Sequence, residues 1–222
     1  RYRNLLAATL GTGFGAGIVR DGELFLGDNS NGAEIWLLRS KLDPGMNVEE
    51  GASIRAVRRE YALRAGLPFE SAPEPRDIYD IALGRRGGDR SAAARAFARM
   101  AEVVGDALAN ALTLVDGLAV IGGGLAGAAS LFMPTLVAEM NSTYINYAGQ
   151  VYGRLVQRVY NLEDEAGLRE FLTGRTQAVA VPGTGRRILY DPEKRTGVGV
   201  TKLGTSKATS LGAYAYALRR LG

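Results

Sequence analysis

The sequence contains no cysteine and no histidine. Their joint absence removes thiolate nucleophiles, imidazole general bases, disulfide staples and every Cys/His zinc site at once. Any chemistry here must rest on carboxylates, hydroxyls, backbone amides and Lys or Arg. Long apolar runs are missing too. No stretch approaches the roughly 18 to 20 residues of a membrane-spanning helix, and no charged-then-apolar leader opens the chain. A membrane partner is therefore not expected, and the cytoplasm is the default location. A basic stripe is also lacking: the formal charge of +4 comes from scattered residues, with no run longer than the pairs Arg58-Arg59, Arg85-Arg86, Arg186-Arg187, Lys194-Arg195 and Arg219-Arg220. That distribution favours a small anionic partner over nucleic acid.

Glycine, by contrast, is abundant, with 30 in 222 residues against a usual share of about 7%. The glycines cluster after apolar runs without forming a repeat, as expected of loops that bring backbone close to a ligand. A hydrophobic fraction of 46% is ample for a core. The chain opens on Arg1 and runs almost at once into an apolar strand, so a preceding segment is expected.

Leu5 to Leu10 reads as a buried strand, 11–17 as a glycine loop, 18–19 and 24–26 as strands around an Asp21-Gly22 hairpin turn, and the apolar run 35–38 as a further strand. Residues 49–64 carry apolar side chains near helical spacing, closed by Gly66 and Pro68. Pro75 starts a short helix, and Asp89 or Ser91 caps a long one through Leu114. Residues 118–121 form a strand, 122–124 a tight turn and 125–140 a helix. The four tyrosines of 143–160 fit a strand, a lid or an interface. Residues 164–172 read as helix, 178–181 as strand, 188–190 and 198–200 as short strands, and 207–221 as a closing helix. The mixture predicts an α/β fold.

Two glycine loops carry the chemical signal. Gly11-Thr12-Gly13-Phe14-Gly15-Ala16-Gly17 lies between two strands, where backbone amides and the Thr12 hydroxyl can turn toward phosphate. No helix follows, so the Rossmann pattern fails, and no Lys-Ser or Lys-Thr follows, so the Walker pattern fails. A glycine-rich hairpin without a ligand is the competing reading. Gly122, Gly124 and Gly127 do satisfy G-x-G-x-x-G between a strand and a helix, but the acidic residue required about 20 positions on has no counterpart from 141 to 162. A dinucleotide oxidoreductase and a plain strand-to-helix turn both remain open on motif grounds.

The residues from Thr9 through Val19, followed by Asp21-Gly22-Glu23-Leu24 and Gly32-Ala33-Glu34-Ile35, resemble the second phosphate loop and the sugar-binding segment of ROK kinases (repressors, open reading frames, kinases). Val120-Ile121-Gly122-Gly123-Gly124-Leu125 is similar to that family's adenosine-side loop, and Ala208-Thr209-Ser210-Leu211-Gly212-Ala213 to its closing helix. The resemblance implies the second, C-terminal lobe of a two-lobed actin-like ATPase (ribonuclease H-like) fold over 1–222. It also implies transfer of the γ-phosphoryl group of ATP, with Mg2+, to a hexose or N-acetylhexosamine, and it admits a homodimer. Gly11, Thr12 and Gly13 would hold the β- and γ-phosphates, and Gly123 and Gly124 would let adenosine lie against the backbone. Glu34 would accept hydrogen bonds from sugar hydroxyls, a role suited to an acceptor-only carboxylate. Glu49 stands four residues before Ser53, as a second sugar-binding Glu does in the family, with Glu50 an immediate rival and a solvated helix start the plain reading of both.

The sequence departs from the family pattern in two ways. Leu37 takes the place of the His that usually follows the first Glu, and the Cys-rich loop is absent, so zinc is not expected. The family's general base, an Asp in an Asn-Asp pair of the first lobe, is expected upstream of Arg1, because no Asn-Asp pair occurs here. A sugar-responsive repressor built on the same lobe is the alternative function.

Overall fold

The computed structural model describes residues 2–221. Its main sheet begins with β1 (Leu5–Leu10), β2 (Phe14–Arg20) and β3 (Glu23–Phe25) as an antiparallel meander. Asp21 and Gly22 turn the second hairpin with φ of 52° and 83°, both in the left-handed region that matches the strand twist. Period-2 alternation then sorts β1: Leu6, Ala8 and Leu10 are buried, whereas Thr9 on the other face is exposed.

Three helices follow before the chain returns to the sheet. α1 (Ile54–Ala65) starts where the Ser53 hydroxyl accepts the Ala56 amide at 3.3 Å, and ends at Gly66 with φ 67°. A 3-10 turn over Val48–Gly51 precedes it, so the helix expected over 49–64 is split in two. The break comes from Ser53, whose extended backbone and capping hydroxyl reset the first turn. α2 (Pro75–Ala82) begins on its proline, and α3 (Arg90–Val115) on Asp89, which accepts the Ala92 amide at 2.8 Å. Small residues let α3 approach α4 (Ala129–Met140) closely. A Cβ on Gly105 would come within 2.8 Å of the Leu136 carbonyl oxygen.

Between those helices, β4 (Leu118–Gly122) runs parallel to β1 in the register Leu5 with Leu118 and Thr9 with Gly122. β7 (Arg158–Asn161) and β10 (Arg195–Val200) extend the sheet on the far side, giving the order β3-β2-β1-β4-β10-β7 with β1, β4, β10 and β7 all parallel. The core lies between the buried faces of β1 and β4 and helices α1 to α4, around Leu6, Leu10, Phe14, Phe97, Ile121 and Phe132. Each such side chain contributes about 1.5–3 kcal/mol on burial.

The tyrosine-rich stretch resolves into a small hairpin, β5 (Thr143–Ile145) with β6 (Val151–Gly153), ahead of β7. α5 (Glu165–Thr173) packs on β7 and β10, and β8 (Gln177–Ala180) with β9 (Arg187–Tyr190) forms a separate ribbon. α6 (Thr205–Leu221) closes the chain and buries none of its residues. Its Arg219 pairs with Glu23 at 2.5 Å.

Three local expectations need correction. The loop expected over 11–17 spans only 11–13, because Phe14 is buried and β2 starts there, with Leu10 and Phe14 as Cα partners. Residues 35–38 are not a strand; Ile35–Leu37 is a 3-10 turn that buries only Ile35. The helix expected over 125–140 opens as a 3-10 turn over Gly124–Ala128 before α4 begins. Among the described residues no helix is long and apolar enough to cross a membrane.

Candidate phosphate and sugar site

Because β1, β4 and β10 are parallel, their carboxyl ends open on the same edge of the sheet. In open α/β sheets that edge is where ligands bind. Leu10 leads into the loop 11–13, Gly122 into 123–124, and Val200 toward Thr205 at the start of α6.

The first loop is a tight reversal within the β1–β2 hairpin. The Gly11 amide donates to the Gly13 carbonyl at 3.0 Å, while the Gly11 carbonyl accepts the Ile54 amide from the head of α1 at 2.8 Å. The Phe14 amide donates to Glu49 Oε2 at 3.0 Å. Thr12 is exposed at the tip, and its hydroxyl makes no hydrogen bond among the described residues. A free donor on an exposed glycine-flanked tip suits an anionic oxygen.

The second loop is shaped by steric necessity. Gly123 has φ 95°, and a Cβ there would sit 2.1 Å from the Leu10 carbonyl oxygen. Its amide donates to Thr205 Oγ1 at 2.8 Å, and the Thr201 amide donates to the Ile121 carbonyl at 2.9 Å. The loops are neighbours: a Cβ on Gly11 would lie 4.0 Å from the Gly124 nitrogen. All five glycine-loop residues singled out in the sequence, Gly11, Thr12, Gly13, Gly123 and Gly124, thus share one edge.

The dinucleotide geometry is not met. A 3-10 turn over Gly124–Ala128 takes up most of the G-x-G-x-x-G segment itself, so α4 begins only at Ala129, past the last glycine, and its first turn does not face the loop. Glu163, the acidic residue just past β7, is taken up by the Val200 amide at 2.9 Å and by Lys202 at 2.6 Å. Partial burial pushes the Glu163 carboxyl up, but these two donors outweigh it and leave it below the usual carboxylate range.

The two sugar-ligand candidates stand on adjacent 3-10 turns. Glu34 is exposed at the head of Ile35–Leu37, and the Trp36 indole N–H donates to its Oε2. Ala33 before it has φ 69°, a left-handed conformation that costs an L-residue roughly 1–2 kcal/mol; such strain concentrates at functional loops. The turn packs against β2 and against Val48–Gly51, and the Val48 amide donates to the Leu38 carbonyl at 2.8 Å. Glu49 and Glu50 differ sharply. Arg59 and Arg55 bind the Glu50 carboxylate at 3.1 and 2.7 Å, and the hydrogen bond from Arg59, above all, holds it below its ordinary range. Glu49 is half-buried beside the first loop, and its Oε1 accepts no hydrogen bond among the described residues.

Thr205 and Ile54 were not anticipated as parts of this site. Thr205 lies 82 positions from Gly123, and only the β4–β10 pairing brings it in. Ile54 acts through its backbone amide, which no side-chain pattern reports. Among the described residues no group of three or more acidic side chains gathers to hold a metal ion.

Comparison with known proteins accords with this geometry. A model of the ROK family matches residues 1–170. A solved glucokinase from Parabacteroides distasonis is 48% identical with a TM-score of 0.89, over 99% of this chain and 59% of its own. A ROK family glucokinase from Streptomyces griseus, solved with glucose and AMPPNP, shares the fold at 20% identity and a TM-score of 0.58, over 91% of this chain and 57% of its own. A ROK family transcriptional regulator, a homologue of the Escherichia coli MLC protein, is 26% identical with a TM-score of 0.51, over 60% of this chain and 36% of its own. Among curated proteins no relative matches. The fold is therefore that of the actin-like ATPases, an α/β architecture with a mixed sheet. Within that class the chain belongs to the ROK family. It spans 59% of the length of the Parabacteroides glucokinase.

Proposed function

We propose that this chain is the nucleotide- and sugar-binding second lobe of an ATP-dependent sugar kinase that phosphorylates a hydroxyl of a hexose or N-acetylhexosamine. The observation that carries the reading is the meeting of two glycine loops at the carboxyl ends of adjacent parallel strands, with the Glu49 carboxylate against one of them. In this reading the amides of 11–13 and the Thr12 hydroxyl face the β- and γ-phosphates, Gly123 and Gly124 face adenosine, and Glu34 and Glu49 accept sugar hydroxyls. Phosphoryl transfer asks little covalent chemistry of a protein and much positioning, which fits a site without histidine or cysteine. A magnesium ion would be held chiefly through nucleotide phosphates, since the described residues offer no acidic cluster for it. The aspartate that removes the hydroxyl proton would come from a preceding lobe.

A sugar-responsive repressor is the second reading, supported by the regulator at 26% identity; the glucokinase at 48% identity favours the kinase. Incubating the intact protein with MgATP and glucose, mannose or N-acetylglucosamine separates them: a kinase forms sugar phosphate, whereas a repressor binds sugar without turnover. Glu34→Gln keeps size and one acceptor but loses charge. Sugar affinity should fall by about 1.5–3 kcal/mol with nucleotide affinity intact, as calorimetry reads directly. Unchanged sugar affinity removes Glu34 from the site.

A further inference from the structure

Glu49 is bound into the nucleotide half of the site as well as standing beside the sugar half. Its Oε2 accepts the amide of Phe14, the first residue after the loop, at 3.0 Å. The carboxylate also lies flat against the loop itself, because a Cβ on Gly13 would come within 2.4 Å of the same oxygen. At the loop's other end the Gly11 carbonyl is held by the Ile54 amide at 2.8 Å. Both ends of the phosphate loop are therefore fastened to one short segment, 49–54. That segment is rigid for a visible reason: Glu50 is gripped by Arg55 and Arg59, Asn47 accepts the Glu50 amide, and Ser53 caps α1. Phe14, 1% exposed, fixes the other side of the contact.

From this arrangement we infer that Glu49 is a positioning residue for the phosphate loop, and that sugar and nucleotide binding are coupled through its single carboxylate. The inference rests on the kinase reading above. One oxygen holds the Phe14 amide and so sets the direction of the loop's amides, while the other, Oε1, has no partner among the described residues and is left for a sugar hydroxyl. A hydroxyl bound at Oε1 orients the whole carboxylate, and with it the loop. A nucleotide bound to the loop holds the same carboxylate in place for the sugar. Thermodynamic linkage requires that the coupling be equal in both directions.

The test is calorimetry on the intact protein, with Mg·AMPPNP alone, with glucose, mannose or N-acetylglucosamine alone, and with AMPPNP in the presence of whichever sugar binds. Wild type should bind AMPPNP more tightly when the sugar is present. Without sugar, Glu49→Ala should weaken AMPPNP about tenfold, because the nucleotide must then order a loop that the carboxylate no longer holds. Glu49→Gln should weaken it less, because its amide oxygen can still accept from Phe14, and Glu34→Gln should leave it unchanged. The reciprocal variant is Gly13→Ala, whose methyl displaces the end of the flexible Glu49 side chain, so sugar affinity measured without nucleotide should fall about tenfold, with no more loss of melting temperature than Glu49→Ala shows, since both release the same Phe14 amide. If Glu49→Ala leaves AMPPNP affinity intact, or Gly13→Ala leaves sugar affinity intact, the coupling is overturned while the kinase reading stands. A wild-type protein that binds neither AMPPNP nor any of the sugars overturns both.

Discussion

The two glycine loops sit side by side on one sheet edge and use glycine for different reasons. At 122–124 the glycine is a matter of room: Gly123 presses into the Leu10 backbone with φ 95°, and any side chain collides. At 11–13 no such collision with backbone exists; the nearest atoms to a Cβ on Gly13 belong to the movable Glu49 carboxylate. One loop is a fixed joint between two strands, and the other is a hinged surface held by a side chain. A glycine-rich motif therefore does not by itself report ligand contact, since the same residue can serve backbone against backbone or backbone against phosphate.

The comparison breaks most sharply at Gly123. Gly123→Ala should destabilise the protein by about 2–5 kcal/mol, combining left-handed strain with overpacking. Chemical denaturation measures the loss, and a cost below about 1 kcal/mol would mean that the joint yields. Thr12→Val should do the opposite, keeping stability within about 0.5 kcal/mol. It deletes one donor to a charged group, so nucleotide-dependent turnover should fall by about one to two decades, and unchanged kinetics would leave 11–13 as a structural hairpin. Smaller still is Thr205→Ala, which orphans the Gly123 amide at a cost of about 1 kcal/mol, while Thr205→Ser restores the acceptor and should recover most of it. Equal melting temperatures for all three proteins would show that the amide is satisfied by water instead.

The smallest effect is in pH, and it touches both loops alike. Glu50 near the first loop, through Arg59 and Arg55, and Glu163 near the second, through Lys202 and the Val200 amide, are held below their ordinary value of 4.5. A depressed carboxylate adds stability above its unfolded pKa and loses it as pH falls through the lower folded value. The melting temperature should therefore drop on acidification from neutrality to below about pH 4, modestly, because exposed pairs are screened by water and salt. Lys202→Met should flatten that acid limb, and a limb as steep as wild type would remove Glu163 from its cause.

What the sequence revealed and what it hid divide along contact range. β1 is legible because alternation and burial agree within six residues, and α3 because Asp89 announces a cap that its side chain makes. The first loop is only partly legible: Phe14 looks like a loop residue among glycines, yet burial in the core draws it into β2. Ile35 to Leu38 reads as a strand from its apolar side chains, but Leu37 is exposed and the Val48 amide takes the Leu38 carbonyl, so the segment curls into a turn. Glu49 and Glu50 cannot be told apart by spacing. Their difference is made by Arg55 and Arg59 on α1 and by the Phe14 amide from another hairpin. Thr205 carries no local signal at all.

The parallel pairing of β1 with β4 has a further consequence, for the order in which this molecule assembles. Helices α1, α2 and α3 all lie between those strands in the chain, so the Leu10–Gly123 contact closes one of its longest loops. Loop closure of that length is entropically costly and is satisfied late in folding. The paired glycine loops would then be absent from the folding transition state. A nucleotide that binds them should leave the refolding rate unchanged and appear wholly as slower unfolding.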